Sequence, residues 1–185
     1  MTFAKKFVIL DRDGVINVDS DAYIKSPDEW IPIPGSLEAI ARLNQAGYRI
    51  VIATNQSGIG RGLFDMATLN AMHVKMNRAA AAVGGRIDAV FFCPHTSEDQ
   101  CECRKPKSGL LQMIVERFEI DPATTPVVGD ALRDLQAGAA LGFPTHLVLT
   151  GKGKKTLAAG GLPEGTQVYD DLKAFALTFL ASQDE

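Results

Sequence analysis

Two aspartates spaced two apart, Asp11 and Asp13, close the segment Phe7-Val8-Ile9-Leu10-Asp11-Arg12-Asp13-Gly14-Val15. Carboxylates this near one another repel unless one is protonated or a cation stands between them. Mg²⁺ suits such a place because it takes carboxylates together with a phosphate oxygen. One carboxylate can attack phosphorus while a neighbour moves the proton. The pair points to phosphoryl transfer, with Asp11 as nucleophile, Asp13 as acid and base, and both expected at Mg²⁺.

Further groups extend the set in chain order. Thr54, in Thr54-Asn55-Gln56-Ser57, can hydrogen-bond a phosphoryl oxygen, helped by backbone N–H groups of the Ser57-Gly58-Ile59-Gly60 turn. Lys105 can neutralise charge on the transferring group. Asp130, in Val128-Gly129-Asp130-Ala131-Leu132-Arg133-Asp134, can complete the Mg²⁺ shell, and Asp134 is placed to reach the ion through water. Each residue alone is most often a cap, a turn former or a solvated helix residue. Jointly they supply positioning and charge neutralisation, the main demands of phosphoryl transfer.

A second constellation is Cys93-x-His95 with Cys101-x-Cys103. It gathers all 3 cysteines of the chain, an odd number for a disulfide framework. Zn²⁺ binds such a Cys₃His set tetrahedrally, and four protein ligands leave no open position, so the site reads as structural. A metal there would stiffen the loop that runs into Arg104-Lys105-Pro106.

These groups need a scaffold. Apolar runs at 7–10, 49–53, 89–92, 126–128 and 145–149 read as buried strands, and a helical pattern follows each. Ser36 is placed to cap a helix with Leu37, Ile40, Ala41 and Leu43 on one face and Gly47 at its exit. Asp65 is placed to cap one with Leu69, Met72 and Met76 inward. Ser108 precedes a third with Leu111, Ile114, Val115 and Phe118, and Leu172, Phe175, Ala176 and Phe179 mark a terminal amphipathic helix. Alternating strands and helices predict an α/β fold with a mainly parallel sheet. Ligands bind such sheets outside the carboxyl ends of the strands, where the site residues lie.

A length of 185 residues fits a single domain spanning 1–185, with a zinc loop at about 93–103 and a polar tail at about 181–185. A net charge of −3 disfavours a nucleic-acid partner. The start, with Lys5 and Lys6, lacks the apolar stretch of a signal peptide, and no segment is long enough to span a membrane. A cytoplasmic monomer is expected. Residues 151–166, rich in Gly and Lys, read as a mobile surface loop. Gly58-x-Gly60-x-Gly62 lacks the dinucleotide spacing, and Gly151-Lys152-Gly153-Lys154-Lys155-Thr156 lacks that of a P-loop, although its lysines are placed to touch an anion. His73 reads as packed or solvated, His146 as half-buried, and Trp30 as a surface-loop anchor.

The ordered motifs Asp11-Arg12-Asp13-Gly14-Val15, Thr54-Asn55, Lys105 and Gly129-Asp130 with Asp134 resemble the haloacid dehalogenase superfamily over about residues 7–150. The resemblance implies a Rossmann-like parallel sheet flanked by helices, and Asp13 implies a phosphatase. The absence of a long insertion resembles the capless branch, whose sites stay open. With Gln56-Ser57-Gly58-Ile59-Gly60-Arg61-Gly62 and the Cys/His loop included, the chain is similar to the heptose-bisphosphate phosphatase family, which has histidinol-phosphate phosphatases as relatives. That likeness implies hydrolysis of the 7-phosphate of D-glycero-D-manno-heptose 1,7-bisphosphate through an aspartyl-phosphate, on the route to ADP-heptose and lipopolysaccharide. It also implies substrate contacts from Arg104, Asp19, Asn55, Gln56 and Ser57. Ala131 departs from the pattern, in which a basic residue often follows the metal-binding aspartate. The competing readings are a histidinol-phosphate phosphatase of histidine biosynthesis, a phospho-receiver module, which also uses strand-end aspartates, and a zinc-bearing nucleic-acid end-processing phosphatase.

Overall fold

The computed structural model describes residues 5–183. Residues 1–4 and 184–185, parts of the lysine-bearing start and of the expected polar tail, lie outside the described residues. Strands β1 (Lys6–Leu10), β2 (Tyr48–Asn55), β3 (Ala89–Cys93), β4 (Val127–Gly129), β5 (Thr145–Val148) and β6 (Gln167–Tyr169) form one sheet in the order β3-β2-β1-β4-β5-β6. All neighbours pair in parallel. The helices are α1 (Ser36–Gln45), α2 (Ser57–Gly60), α3 (Met66–Ala82), α4 (Gly109–Phe118), α5 (Leu132–Ala139), α6 (Gly153–Ala159) and α7 (Leu172–Ala181).

Helices cover both faces, which is why the central strands read as unbroken apolar runs. Val8 and Leu10 of β1 with Ile50 and Ile52 of β2 face one core, shared with α1, α3 and α7. Phe7 and Ile9 with Val51 and Ala53 face the other, shared with α4 and α5. The chain changes direction between β1 and β4, which lie side by side at the sheet centre. A crevice opens at such a switch point, beyond the carboxyl ends of the strands. The order also differs from the flavodoxin-like arrangement of phospho-receivers.

Several local expectations hold. Asp65 caps α3, accepting from the Thr68 N–H at 2.8 Å. Leu69, Met72 and Met76 are fully buried. Others are corrected. The N-cap of α1 is Gly35, not Ser36, whose hydroxyl instead donates to the Val15 carbonyl at 2.9 Å. Ser108 stands at the N-cap of α4 but makes no capping hydrogen bond through its side chain. The expected loop at 151–166 contains α6. Strand β6 was not legible, because Gln167-Val168-Tyr169 is too short and too exposed to make an apolar run. His146 is buried, in contact with Tyr169, Phe175 and Phe179.

Trp30 is the largest correction. It is fully buried in the first core, not a surface anchor. Lys75 of α3 holds the turn that delivers it, donating to the carbonyls of Pro27 at 2.6 Å and Trp30 at 2.8 Å. Trp30→Ala should therefore cost about 3–5 kcal/mol of stability in urea denaturation. A loss below about 1 kcal/mol would place the ring outside the core.

Candidate active site

Strands β1 and β4 end side by side, so Asp11 and Asp130 emerge next to one another. Asp134, in the first turn of α5, folds back over them, with one oxygen accepting from the Ala131 N–H at 3.1 Å. Oxygens of these three buried carboxylates lie within 4.8 Å of one another. Lys105 is the counter-charge. Its ammonium lies 3.1 Å from Asp11 Oδ1 and 2.7 Å from Asp134 Oδ1, and it donates to the Ala53 carbonyl at 2.7 Å.

Asp130 is locked from all sides. Its Oδ2 accepts from the Lys152 N–H at 2.7 Å, and its carbonyl accepts from the Thr156 hydroxyl at 2.8 Å. A Cβ at either Gly14 or Gly151 would meet its carboxylate, and Gly14 also holds a φ of +82°. Both positions therefore require glycine.

Burial and mutual repulsion set the protonation. Burial, then the Asp134 charge, raises the Asp11 pKa to about 6. Burial, then the Asp134 and Asp11 charges, raises that of Asp130 to about 8. For Lys105, burial works towards neutrality, but Asp11 and Asp134 outweigh it and raise its pKa. Three buried carboxylates against one ammonium leave a negative hole, relieved in part by half-buried Arg133. The oxygen donors and the charge fit Mg²⁺.

Asp13 contributes its side chain to a different set of contacts. Its carboxylate is outside the Asp11–Asp130–Asp134 cluster. Oδ1 accepts from Arg12 Nε and Asn17 Nδ2, each at 2.9 Å, and Oδ2 accepts from Gln56 Nε2 at 3.0 Å. The cation beside Asp13 is thus Arg12, while that beside Asp11 is Lys105. Asp13 still faces the same pocket as Asp11, the position that an acid and base needs.

That pocket is also lined by Asp19, Thr54, Asn55, Gln56, Ser57, Arg104 and Lys105, so every expected substrate-side residue converges on it. Asn55 sets the Lys105 backbone in a two-bond clasp. Its Nδ2 donates to the Lys105 carbonyl at 3.0 Å, and its Oδ1 accepts from the Lys105 N–H at 3.1 Å. Tyr23 and Arg133 line the pocket as well and were not singled out in the sequence. The signal for Arg133 was its place three residues after Asp130. Lys152 lines the pocket and lies 3.4 Å from Asp19.

The Cys/His loop leaves the end of β3 and returns two residues before Lys105. Cys93 Sγ lies 3.6 Å from Cys101 Sγ, 3.0 Å from Cys103 Sγ and 3.6 Å from His95 Nδ1. Cys103 Sγ lies 3.3 Å from His95 Nδ1 and 3.7 Å from Cys101 Sγ. Ligands about 2.0–2.3 Å from a tetrahedral Zn²⁺ would stand about 3.4–3.8 Å apart, so the four atoms nearly match that spacing. Burial opposes the Cys101 thiolate, but hydrogen bonds from the Arg104 N–H and from Cys93 and Cys103 bring its pKa down to about 7.

The family profile of haloacid dehalogenase-like hydrolases matches residues 3–142. The chain belongs to that family. Within these haloacid dehalogenase-like hydrolases it is 62% identical over 171 residues to the D-glycero-beta-D-manno-heptose-1,7-bisphosphate 7-phosphatase of Bordetella bronchiseptica, covering 92% of this chain and 96% of the relative. The crystal structure of the D,D-heptose 1,7-bisphosphate phosphatase from B. bronchiseptica, complexed with magnesium and phosphate, superposes with a TM-score of 0.95 at 60% identity, covering 96% of this chain and 99% of that one. The corresponding phosphatase from Burkholderia thailandensis is 73% identical with a TM-score of 0.78, covering 96% and 99%.

In this haloacid dehalogenase-like site a divalent cation competes with the proton that burial favours on Asp130 and, below about pH 6, with one on Asp11. Mg²⁺ affinity should therefore rise about tenfold or more as pH increases from about 6 to about 8, with protons released, in calorimetric titrations. In the metal-free protein both pKa values lie above the ordinary 3.8, so the fold binds more protons than the unfolded chain. Its stability should fall as pH rises through those values, and Mg²⁺ should restore it. A pH-independent affinity would contradict this electrostatic reading.

Proposed function

We propose that this chain is a Mg²⁺-dependent phosphatase that removes the 7-phosphate of D-glycero-β-D-manno-heptose 1,7-bisphosphate. One observation carries the chemistry: Asp11, buried at the end of β1 with Lys105 Nζ 3.1 Å away, faces a pocket lined by Asp13, Thr54 and Arg104. The names of the similar proteins support the sugar and its anomer.

An Asp11 oxygen attacks phosphorus and forms an aspartyl-phosphate. As the P–O bond to the sugar breaks, Asp13 gives its proton to the leaving oxygen. Asp13 then takes a proton from water, whose oxygen attacks the same phosphorus and frees Asp11 and inorganic phosphate. Lys105 and the hydroxyl of Thr54 offset the negative charge of the phosphoryl oxygens. Mg²⁺, held by Asp11 and Asp130 with Asp134 beside them, would neutralise charge on the transferring group. Arg104, Lys152 and Arg133 supply cations for an anionic substrate with a second phosphate. Asp19, Asn55, Gln56 and Ser57 shape its sugar side.

Zn²⁺ held by Cys93, His95, Cys101 and Cys103 would be structural. Gln56 N–H donates to the Cys93 carbonyl at 2.7 Å and Gly60 N–H to the Pro94 carbonyl at 3.0 Å, so the loop is tied to the phosphate-binding turn. Thiolate ligands persist in a reducing cytoplasm. A monomer is the proposed state, since the residues given roles here all come from one chain. Production of ADP-heptose for lipopolysaccharide is the route that this reading implies.

Two tests follow. Heptose bisphosphate should be turned over at least about a hundredfold more efficiently than histidinol phosphate, and Asp11→Asn should abolish both activities. The reverse preference would reassign the substrate. Zinc chelation, or Cys103→Ser, should lower Tm and kcat together, and leaving both unchanged would remove the loop from the active-site scaffold.

A further inference from the structure

Arg12 carries its charge inside the protein with no solvent exposure, a state that demands full hydrogen bonding. Nε and Nη2 each lie 2.9 Å from Asp13 Oδ1, and Nη2 also reaches Gln56 Oε1 at 3.3 Å. Nη1 lies 3.2 Å from Nε2 of His73, midway along α3. A guanidinium has no acceptor atom, so Nε2 must be the unprotonated nitrogen and Arg12 the donor. Burial, then the Arg12 charge, lowers the His73 pKa to about 4, which agrees with a neutral acceptor.

Through Arg12, which does not itself line the pocket, this contact links His73 to Asp13, which does. The guanidinium is planar, so holding Nη1 from α3 fixes the plane in which Nε and Nη2 meet Asp13. The Arg12 carbonyl is fixed too, accepting from the N–H groups of Val15, Ile16 and Asn17. We propose that His73 is a positioning residue for proton transfer, orienting the Arg12 fork that holds the Asp13 carboxylate towards the leaving oxygen. The proposal rests on the reading of Asp13 as acid and base. Without His73, one N–H group of a buried cation loses its partner and the fork gains freedom to swing.

The test uses kcat/KM, which covers steps through transfer to Asp11, across phosphate esters of graded leaving-group basicity. A sugar alkoxide needs the Asp13 proton in order to leave, whereas p-nitrophenolate does not. His73→Ala should lower kcat/KM about tenfold or more for heptose bisphosphate and less than about twofold for p-nitrophenyl phosphate. His73→Gln, which keeps an acceptor, should recover most of the loss. A uniform loss across the series, or none, overturns the proposal. If His73→Ala does not fold, Arg12→Lys is measured instead, since it keeps the charge without the fork, and an unchanged leaving-group dependence there also overturns it. Asp13→Asn is the control. If it shows no selective loss for the sugar ester, the acid–base reading itself fails and the proposal falls with it.

Discussion

The site depends on one electrostatic imbalance. Asp11, Asp130 and Asp134 are all buried beyond the carboxyl ends of the central strands, and Lys105 is the ammonium in contact with two of them. Charges removed from water are costly unless paired, and here the pairing is incomplete. A proton on Asp130, and on Asp11 below about pH 6, makes up the deficit in the metal-free state. A divalent cation would replace those protons with the positive charge that an anionic phosphoryl group needs beside it. The property that makes the site unfavourable without a cation therefore also makes it selective for one.

The rest of the fold keeps that imbalance in place. The parallel order β3-β2-β1-β4-β5-β6 sets the ends of β1 and β4 side by side, which no local sequence preference could do alone. Lys105 comes from outside the sheet and is held at two points. Asn55 clasps its backbone, and a metal in the Cys/His loop would fix the chain two residues earlier. Gly14 and Gly151 allow two backbone segments to close over Asp130. Asp13 has a separate support in Arg12, Asn17 and Gln56, so Asp11 and Asp13 are held by different networks.

Much of this was legible in the chain because its signals are local. Strand runs at the sheet centre are apolar on both faces, and the residue following each is chemically conspicuous. The Cys/His spacing is equally local. What the sequence hid depends on tertiary packing. The paired partner of Asp13 is a neighbour in sequence, yet its orientation comes from Gln56 and His73, far along the chain. Trp30 sits in a polar stretch, and only its contact with α1, α3 and α7 residues makes it core. Helix α6 and strand β6 are short and partly exposed, so their composition matches that of a loop.

The central claim is a covalent bond between Asp11 and phosphorus. Rapid acid quench during turnover of a substrate with isotopically labelled phosphate, followed by peptide mapping, tests it directly. The account predicts label on the Asp11 side chain, appearing and decaying within a turnover and absent in Asp11→Asn. Label on any other residue, or sustained turnover with no labelled protein, would contradict it.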